Sequence, residues 1–246
     1  MSRFRVLSKN MVKLLCMLTM FMNHFSYWFL EPGSAAYGLC VYIGWVTAPC
    51  MCWFLVQGFY HTHDRRKYGL RLLAFAAISQ WPFMLYFYDA PHVNMIGTLF
   101  ICYLGLCVRR SRFGVVARSF LQVLLFLITV VCDWPLMAFI MVLLFDWSRS
   151  KGVTDHGYGQ CDAIAFCLSA IMVGLYDFTG AGAPLWHILY GMIGPSIAAV
   201  LILVFLDVSK RPDPAAKSGS VWKYFFYVFY PGHLLLLWWL NITAAI

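Results

Sequence analysis

Long apolar runs separated by short polar stretches recur along the whole chain. Nine can be marked, at about 11–30, 39–60, 69–88, 93–108, 114–131, 134–148, 161–179, 184–206 and 221–244. A helix needs about 20 apolar residues to cross the hydrocarbon of a bilayer, and most of these runs have them. The fourth and sixth are shorter, which implies little tilt or partial burial within a bundle. The pattern predicts an all-α polytopic transmembrane helix bundle of about nine spans. No internal repeat, low-complexity tract or second domain interrupts it, so residues 1–246 read as a single integral-membrane domain. The one linker-like stretch is 207–220, where Pro212, Pro214 and small residues precede the last run.

Composition agrees: the chain is 62% hydrophobic and 11% charged, whereas a soluble domain carries about a quarter charged residues. A formal net charge of +8 would suggest nucleic acid in a soluble protein; here the placement of the charges accounts for it. Arg3, Arg5, Lys9 and Lys13 precede or open the first run. Arg65, Arg66, Lys67 and Arg71 follow the second, and Arg109, Arg110, Arg112 and Arg118 the fourth. Arg149 and Lys151 follow the sixth, and Lys210, Arg211, Lys217 and Lys223 the eighth. All 18 Lys and Arg thus fall on one side, while the opposite loops carry only Glu31, Asp89, Asp133 and Asp177. By the positive-inside rule the N-terminus is cytoplasmic and the C-terminus outside. The bilayer is the expected surrounding, with no nucleic-acid partner.

The basic N-terminus, the first apolar run and Ser34-Ala35-Ala36 imitate a secretory signal. The run is longer than the 7–15 residues of a signal core and eight more follow it, so it reads as a retained signal anchor. The nine cysteines form no secreted framework: Cys16, Cys50, Cys52, Cys102, Cys107 and Cys167 fall within runs, where Cys behaves as a small hydrophobe. Cys50 and Cys52 have the wrong spacing for a redox or zinc pair, and a bond between Cys40 and Cys132, the two nearest the outer surface, has no support.

Ionisable groups inside a span cost several kcal/mol and point to function by default. Lys13 and His24 lie eleven residues apart on the first run. That is three helical turns plus about 20°, so they share a face about 16 Å apart along the axis. His233 lies ten residues beyond Lys223, and Gln80 nine beyond Arg71, so His24, His233 and Gln80 reach similar depth. Asn23 accompanies His24, and Pro49, Pro82 and Pro231 interrupt their helices near that level. Proline frees carbonyls that protein or water must satisfy, so the set suggests a polar cavity near the midplane. The plainer reading is a snorkelling lysine and scattered interhelical hydrogen bonds. The second loop gathers His61, His63, Arg65, Arg66, Lys67 and Arg71. Arginine forks grip phosphate bidentately, yet positive-inside topology alone asks for such a loop. Two histidines two apart, with only Asp64 beside them, make a poor metal site, and no metal is expected.

Residues 13–25, the run "GFYHTHDRRKYGLRLLAFAAISQWPF" at 58–83, "GTLF" at 97–100, Cys132-Asp133-Trp134 and "FYPGHLLLL" at 229–237 resemble the TraX family. The resemblance covers the chain end to end. The lysine–ten residues–histidine spacing is similar to the first-helix signature of the wider integral-membrane acyltransferase superfamily. What the resemblance implies is an acetyl-CoA-dependent N-acetyltransferase of the inner membrane, acting on the N-terminal amine of a conjugative pilin. It implies catalysis at His24, support from Lys13 and His233, and functional roles for His61, Arg65, Lys67 and Arg71. The family usually reads Asp-His where this chain has Asn23-His24. An asparagine can orient an imidazole by a hydrogen bond but adds no charge to stabilise its protonated form, unless Asp133 or another acid substitutes.

The expected mechanism places the acetyl-CoA phosphates on the 65–71 cluster, Arg66 included, and the thioester near His24. His24 takes the proton of an acceptor amine or hydroxyl arriving from the outer side, while His233 and Gln80 polarise the thioester carbonyl. No serine or cysteine nucleophile with a convincing base is visible, which favours direct transfer. Three alternatives stand beside it: O-acylation of a surface glycan or lipid, a transporter or proton-coupled channel, and a non-enzymatic pilus-assembly factor. The transporter reading calls for repeat-related halves, and none is found. The one-sided charges predict that a reporter active only outside the cytoplasm works when fused after Ile246 and fails when fused within 212–220. Activity at both fusions, or the reverse pattern, overturns the topology.

Overall fold

The computed structural model describes residues 5–87, 92–151, 160–181, 184–207 and 219–244. Arg3, Asp89, Lys210, Arg211, Pro212, Pro214 and Lys217 lie outside the described residues, as does the side chain of Lys223. The described residues form ten α-helices: α1 (Lys9–Phe29), α2 (Ala35–Gly44), α3 (Thr47–His61), α4 (Arg65–Tyr86), α5 (Met95–Arg109), α6 (Val115–Ile128), α7 (Met137–Ser150), α8 (Gln160–Ala181), α9 (His187–Val200) and α10 (Gly219–Ala244). A 3-10 turn, Thr129–Val131, extends α6, and a π-helical stretch, Leu201–Phe205, extends α9. All nine apolar runs are helical. Ala35–His61, Gln160–Thr179, His187–Phe205 and Tyr224–Ala244 are long and apolar enough to cross a membrane by length and composition. The described residues are those of a helical membrane protein.

Pro82 and Pro231, expected to interrupt their helices, lie inside the continuous α4 and α10, whereas the second run, also expected to be interrupted at Pro49, is broken at Trp45 and Val46 into α2 and α3. Pro49 is the reason. It has no N–H to give the Trp45 carbonyl and its ring crowds that residue, so it sits in the first turn of a new helix, where the missing donor costs nothing. Ser34, which mimics a signal cleavage site, caps α2 by accepting the Tyr37 N–H at 3.2 Å.

The chain divides into two compact units, residues 1–50 with 151–246, and residues 51–150. In the first, α1 packs on α2 and α10, α8 on α9, and α9 on α2. Leu7 pairs with the end of the π-helical stretch, its N–H donating to Phe205 and its carbonyl accepting from Asp207, each at 2.9 Å. The start of α1 and the end of the eighth run therefore lie at the same end of this unit. Thr47 donates to the Cys16 carbonyl at 2.8 Å, tying the first turn of α3 to α1.

In the second unit α5 is central, touching α4, α6 and α7. Glycines allow these approaches: a Cβ at Gly69 would lie 2.6 Å from the Tyr103 ring, and one at Gly105 2.8 Å from Phe139. At one end Asn94 caps α5, accepting from the N–H groups of Ile96 and Gly97, and donates to the Ala76 carbonyl of α4 at 2.8 Å. Val93 and Cys132 form a backbone bridge there, and the Asp133 carbonyl accepts the Thr98 hydroxyl at 2.9 Å. Helix α6 buries no residue and is held by Gln122, whose amide donates to the Gly105 carbonyl at 2.7 Å.

Among the described glycines, the closest approach is between α1 and α2. A Cβ at Gly44 would stand 2.2 Å from the Asn23 Cβ, whereas one at Gly38, also on α2, meets nothing nearer than 4.0 Å. Gly44→Ala should therefore destabilise the protein by at least about 1–3 kcal/mol through overpacking. Gly38→Ala should leave it unchanged or slightly more stable. Thermal unfolding in detergent compares the two, and equal behaviour refutes the packing assignment.

Candidate functional site

Helix α1 buries Val12, Cys16, Met17, Asn23, His24 and Ser26. Lys13 sits at the edge of that face, its ammonium 5.1 Å from the centre of the Phe226 ring on α10. Two turns further along α10 comes His233. Its ring lies 6.5 Å from Phe21, and its Nε2 lies 2.7 Å from His24 Nδ1. Contacts that advance together on both chains make α1 and α10 parallel neighbours. The structure thus brings Lys13, His24 and His233 to one seam.

The hydrogen bonds assign the tautomers. His233 Nδ1 lies 3.0 Å from the Phe229 carbonyl, which can only accept, so Nδ1 carries the hydrogen. Its Nε2 then bears the lone pair, and His24 Nδ1 must be the donor in the pair. The basic lone pair of His24 falls on Nε2. The rings lie within 9° of coplanar, and Phe229 stacks 5.0 Å from His233 at 11°, fixing its plane. Both histidines are buried.

Asn23, expected to orient His24, faces the other way. Successive helical residues diverge by about 100°, so Asn23 meets α2 where His24 meets α10. Its amide donates to the Val41 carbonyl at 3.1 Å. His233 is the group that orients His24. The expected use of His233 as a donor to a substrate carbonyl also changes, because its one N–H is given to Phe229.

Gln80 belongs to the second unit. Its Nε2 donates to the His92 carbonyl at 2.7 Å, and its Oε1 accepts from the Asn94 N–H and amide at 3.0 and 2.7 Å. It closes the corner between α4 and α5. Asp133 lies in the same unit. Removal from water holds its carboxyl up at about 6, although the Trp134 N–H pulls the other way.

The second loop has a built geometry. Asp64 caps α4 by accepting the Lys67 N–H at 3.0 Å, a bond that holds its carboxyl below the ordinary range. Lys67 also pairs with Asp64 at 3.5 Å, with its side chain 83% exposed. The Arg65 guanidinium lies over Phe59 at 4.4 Å and that of Arg71 near Tyr68 at 5.3 Å. Tyr103 donates to the Arg65 carbonyl at 2.7 Å, and Gly58 lets Tyr68 lie against α3. His61 Nδ1 bonds the Gln57 carbonyl at 2.7 Å, and Arg66 is exposed. The planar fork of a guanidinium matches phosphate oxygens, so Arg65 and Arg71 are residue types suited to that ligand. Among the described residues no three His, Cys, Asp or Glu gather as metal ligands.

Sequence reasoning passed over Asp146. It is 1% exposed and accepts from Arg109 Nε at 2.8 Å, Arg110 at 3.1 Å and the Tyr60 hydroxyl at 2.9 Å. Arg110 also meets the Tyr60 hydroxyl, and Arg149 approaches the Tyr60 ring. The signal was present: a lone carboxylate in the apolar sixth run, one turn before a basic loop. Tyr60 adjoins Phe59, so arginines from three helices converge on the last turn of α3.

With this geometry in place, the comparison with protein families is decisive. The family model for TraX protein matches residues 8–241. The chain belongs to the TraX family. The TraX match spans every candidate site residue, from Lys13 to His233. The chain is also similar, at 29% identity over 252 residues, to a probable fimbrial assembly protein FimC, serogroup H1, of Dichelobacter nodosus. That alignment covers 96% of this chain and 97% of the other. No solved structure matches.

The tautomer assignment is directly measurable. In 15N spectra of histidine-labelled protein, His24 and His233 should both carry their hydrogen on Nδ1. His233→Ala should change the His24 signals and cost about 1–3 kcal/mol by stranding a buried donor. A His24 ring found with its hydrogen on Nε2 refutes the pairing.

Proposed function

We propose that this member of the TraX family is an acetyl-CoA-dependent N-acetyltransferase of the inner membrane, with the N-terminal amine of a pilin subunit as acceptor. The reading rests chiefly on the His24–His233 pair. His24 Nε2 takes a proton from the acceptor nitrogen as that nitrogen attacks the thioester carbonyl. The new bond is N–C, the broken bond is C–S, and the proton passes from His24 to the departing thiolate. Through these steps His24 keeps Nδ1–H on His233 Nε2, so the partner imidazole, with its own N–H on Phe229, takes up part of the developing charge. This is the service an adjacent aspartate would give, and it makes Asn23 compatible with catalysis.

Acetyl-CoA binds from the cytoplasm with its phosphates on Arg65, Arg66, Lys67 and Arg71 and with His61 beside them. Lys13 supplies positive charge on the seam, and Gln80 serves the architecture of its corner. Nine spans, a cytoplasmic N-terminus and an outside C-terminus complete the proposal. Parallel α1 and α10, and the pairing of Leu7 with the end of the eighth run, support it. The fimbrial-assembly name of the relative supports a pilus subunit as acceptor, and it equally supports an assembly factor without enzymatic activity.

Variants separate these readings. His24→Ala and His24→Gln should abolish transfer and leave acetyl-CoA binding intact, because the lost interaction belongs to the transition state. Arg65→Gln with Arg71→Gln should weaken acetyl-CoA binding at least about a hundredfold, from two lost charge-assisted contacts. Mass spectrometry of surface proteins should find an acceptor lighter by about 42 Da (one acetyl) when the gene is deleted. Transfer that survives His24→Ala rejects the enzyme mechanism, and an unchanged surface proteome and glycome favours the assembly factor.

A further inference from the structure

A second polar cluster lies in the first unit, outside the histidine pair. Tyr42 of α2 donates to Asp177 Oδ2 of α8 at 3.3 Å and lies 3.4 Å from His187 Nδ1 at the start of α9. His187 Nδ1 and Asp177 Oδ2 are 3.6 Å apart. Glycines bring the three helices this close. A Cβ at Gly191 would lie 2.8 Å from the Gly174 Cα and 3.0 Å from the Asp177 Cβ. One at Gly194 would lie 2.8 Å from the Tyr42 carbonyl oxygen. Such small-residue contacts are how membrane helices reach backbone proximity.

The cluster is walled by aromatic rings. Tyr190 stacks on Tyr42 at 5.4 Å, Trp45 meets Tyr42 edge-on at 5.3 Å, and Trp186 lies 4.4 Å from His187. Two observations indicate what it receives. First, among the described residues no Lys or Arg lies within ion-pair distance of Asp177, whereas the buried Asp146 has two arginines. The ion-pair partner of Asp177 is His187, which carries no permanent charge, so the carboxylate is able to take an incoming cation. Second, the three polar atoms form a triangle whose sides all exceed a good hydrogen bond. A nitrogen about 2.8 Å from all three sits about 2 Å above its plane. The side chains of His187 and Asp177 remain 25% and 15% exposed, so the triangle can be reached.

We propose that Tyr42, Asp177 and His187 bind the protonated primary amine of the acceptor. Asp177 supplies the counter-charge. The Tyr42 oxygen and His187 Nδ1, with its hydrogen on Nε2, accept the remaining N–H groups, and the aromatic rings favour the cation. The site lies on the α2 side of α1, where Asn23 holds the Val41 carbonyl and Tyr42 is the next residue, so it selects the amine and does not itself hold it at His24. An amine is distinguished here from a hydroxyl before any chemistry occurs, and the ammonium gives its extra proton to water before the neutral amine attacks at His24. The inference rests on the acetyltransferase reading only in calling the bound amine an acceptor.

The test uses the full-length protein in nanodiscs and two probes, a short apolar peptide with a free N-terminal amine and its N-acetylated twin. Wild-type protein should bind the free amine at least about tenfold more tightly, from one charge-assisted contact. Asp177→Asn should erase that preference and leave acetyl-CoA binding unchanged. If Asp177→Asn fails to fold, judged by gel filtration and melting, Tyr42→Phe with His187→Gln is read the same way. A wild type that does not distinguish the probes, or a variant that keeps the preference, overturns the proposal. Loss of preference in the variant without acetyl transfer by the wild type sustains the amine site and rejects the enzyme reading. Transfer by the wild type with an unaltered preference in the variant rejects the amine site alone.

Discussion

The hydrogen bond from His24 Nδ1 to His233 Nε2 organises the first unit. In a medium without water, each buried polar group must find its partner within the protein. His24 finds it on the last helix of the chain, and that choice sets α1 and α10 side by side and parallel. The Phe229 carbonyl then determines which nitrogen of each ring carries hydrogen. One carbonyl thereby decides where the lone pair of His24 points.

The same constraint shapes the rest of the molecule in different ways. Asp146 is satisfied by two arginines and a tyrosine, a closed set that braces α3, α5 and α7. Gln80 and Asn94 exchange hydrogen bonds with each other and with nearby carbonyls, closing the α4–α5 corner. Asp177 has an imidazole and a phenol but no fixed cation. Asp146, met by two arginines, holds helices together, whereas Asp177, met by a tyrosine and a histidine, lies beside aromatic rings. The contrast follows from what each buried charge is given as a partner.

The positions of the helices were largely legible in the sequence, because apolar length and flanking charge are local properties. All nine runs are helical, and of the three prolines expected to interrupt helices Pro49 does so, whereas Pro82 and Pro231 lie inside α4 and α10. Candidate residues were legible one at a time. Lys13, His24 and His233 stood out as polar groups in apolar helices, and Arg65 and Arg71 as members of a basic loop. Their partners were not legible, since nothing local says that Asn23 turns to α2 or that Phe59 and Tyr68 carry the arginines.

Sequence alone therefore determined the class of the protein, its helices and the polar residues that have to be accounted for, because hydropathy and charge act over single turns and single spans. Tertiary structure alone decided which of those residues meet. His24 and His233 are separated by most of the chain, and Tyr42, Asp177 and His187 come from three helices joined through glycines. Such pairings depend on how closely two backbones approach. That distance is set by the shapes of both helices together, and neither helix encodes it by itself.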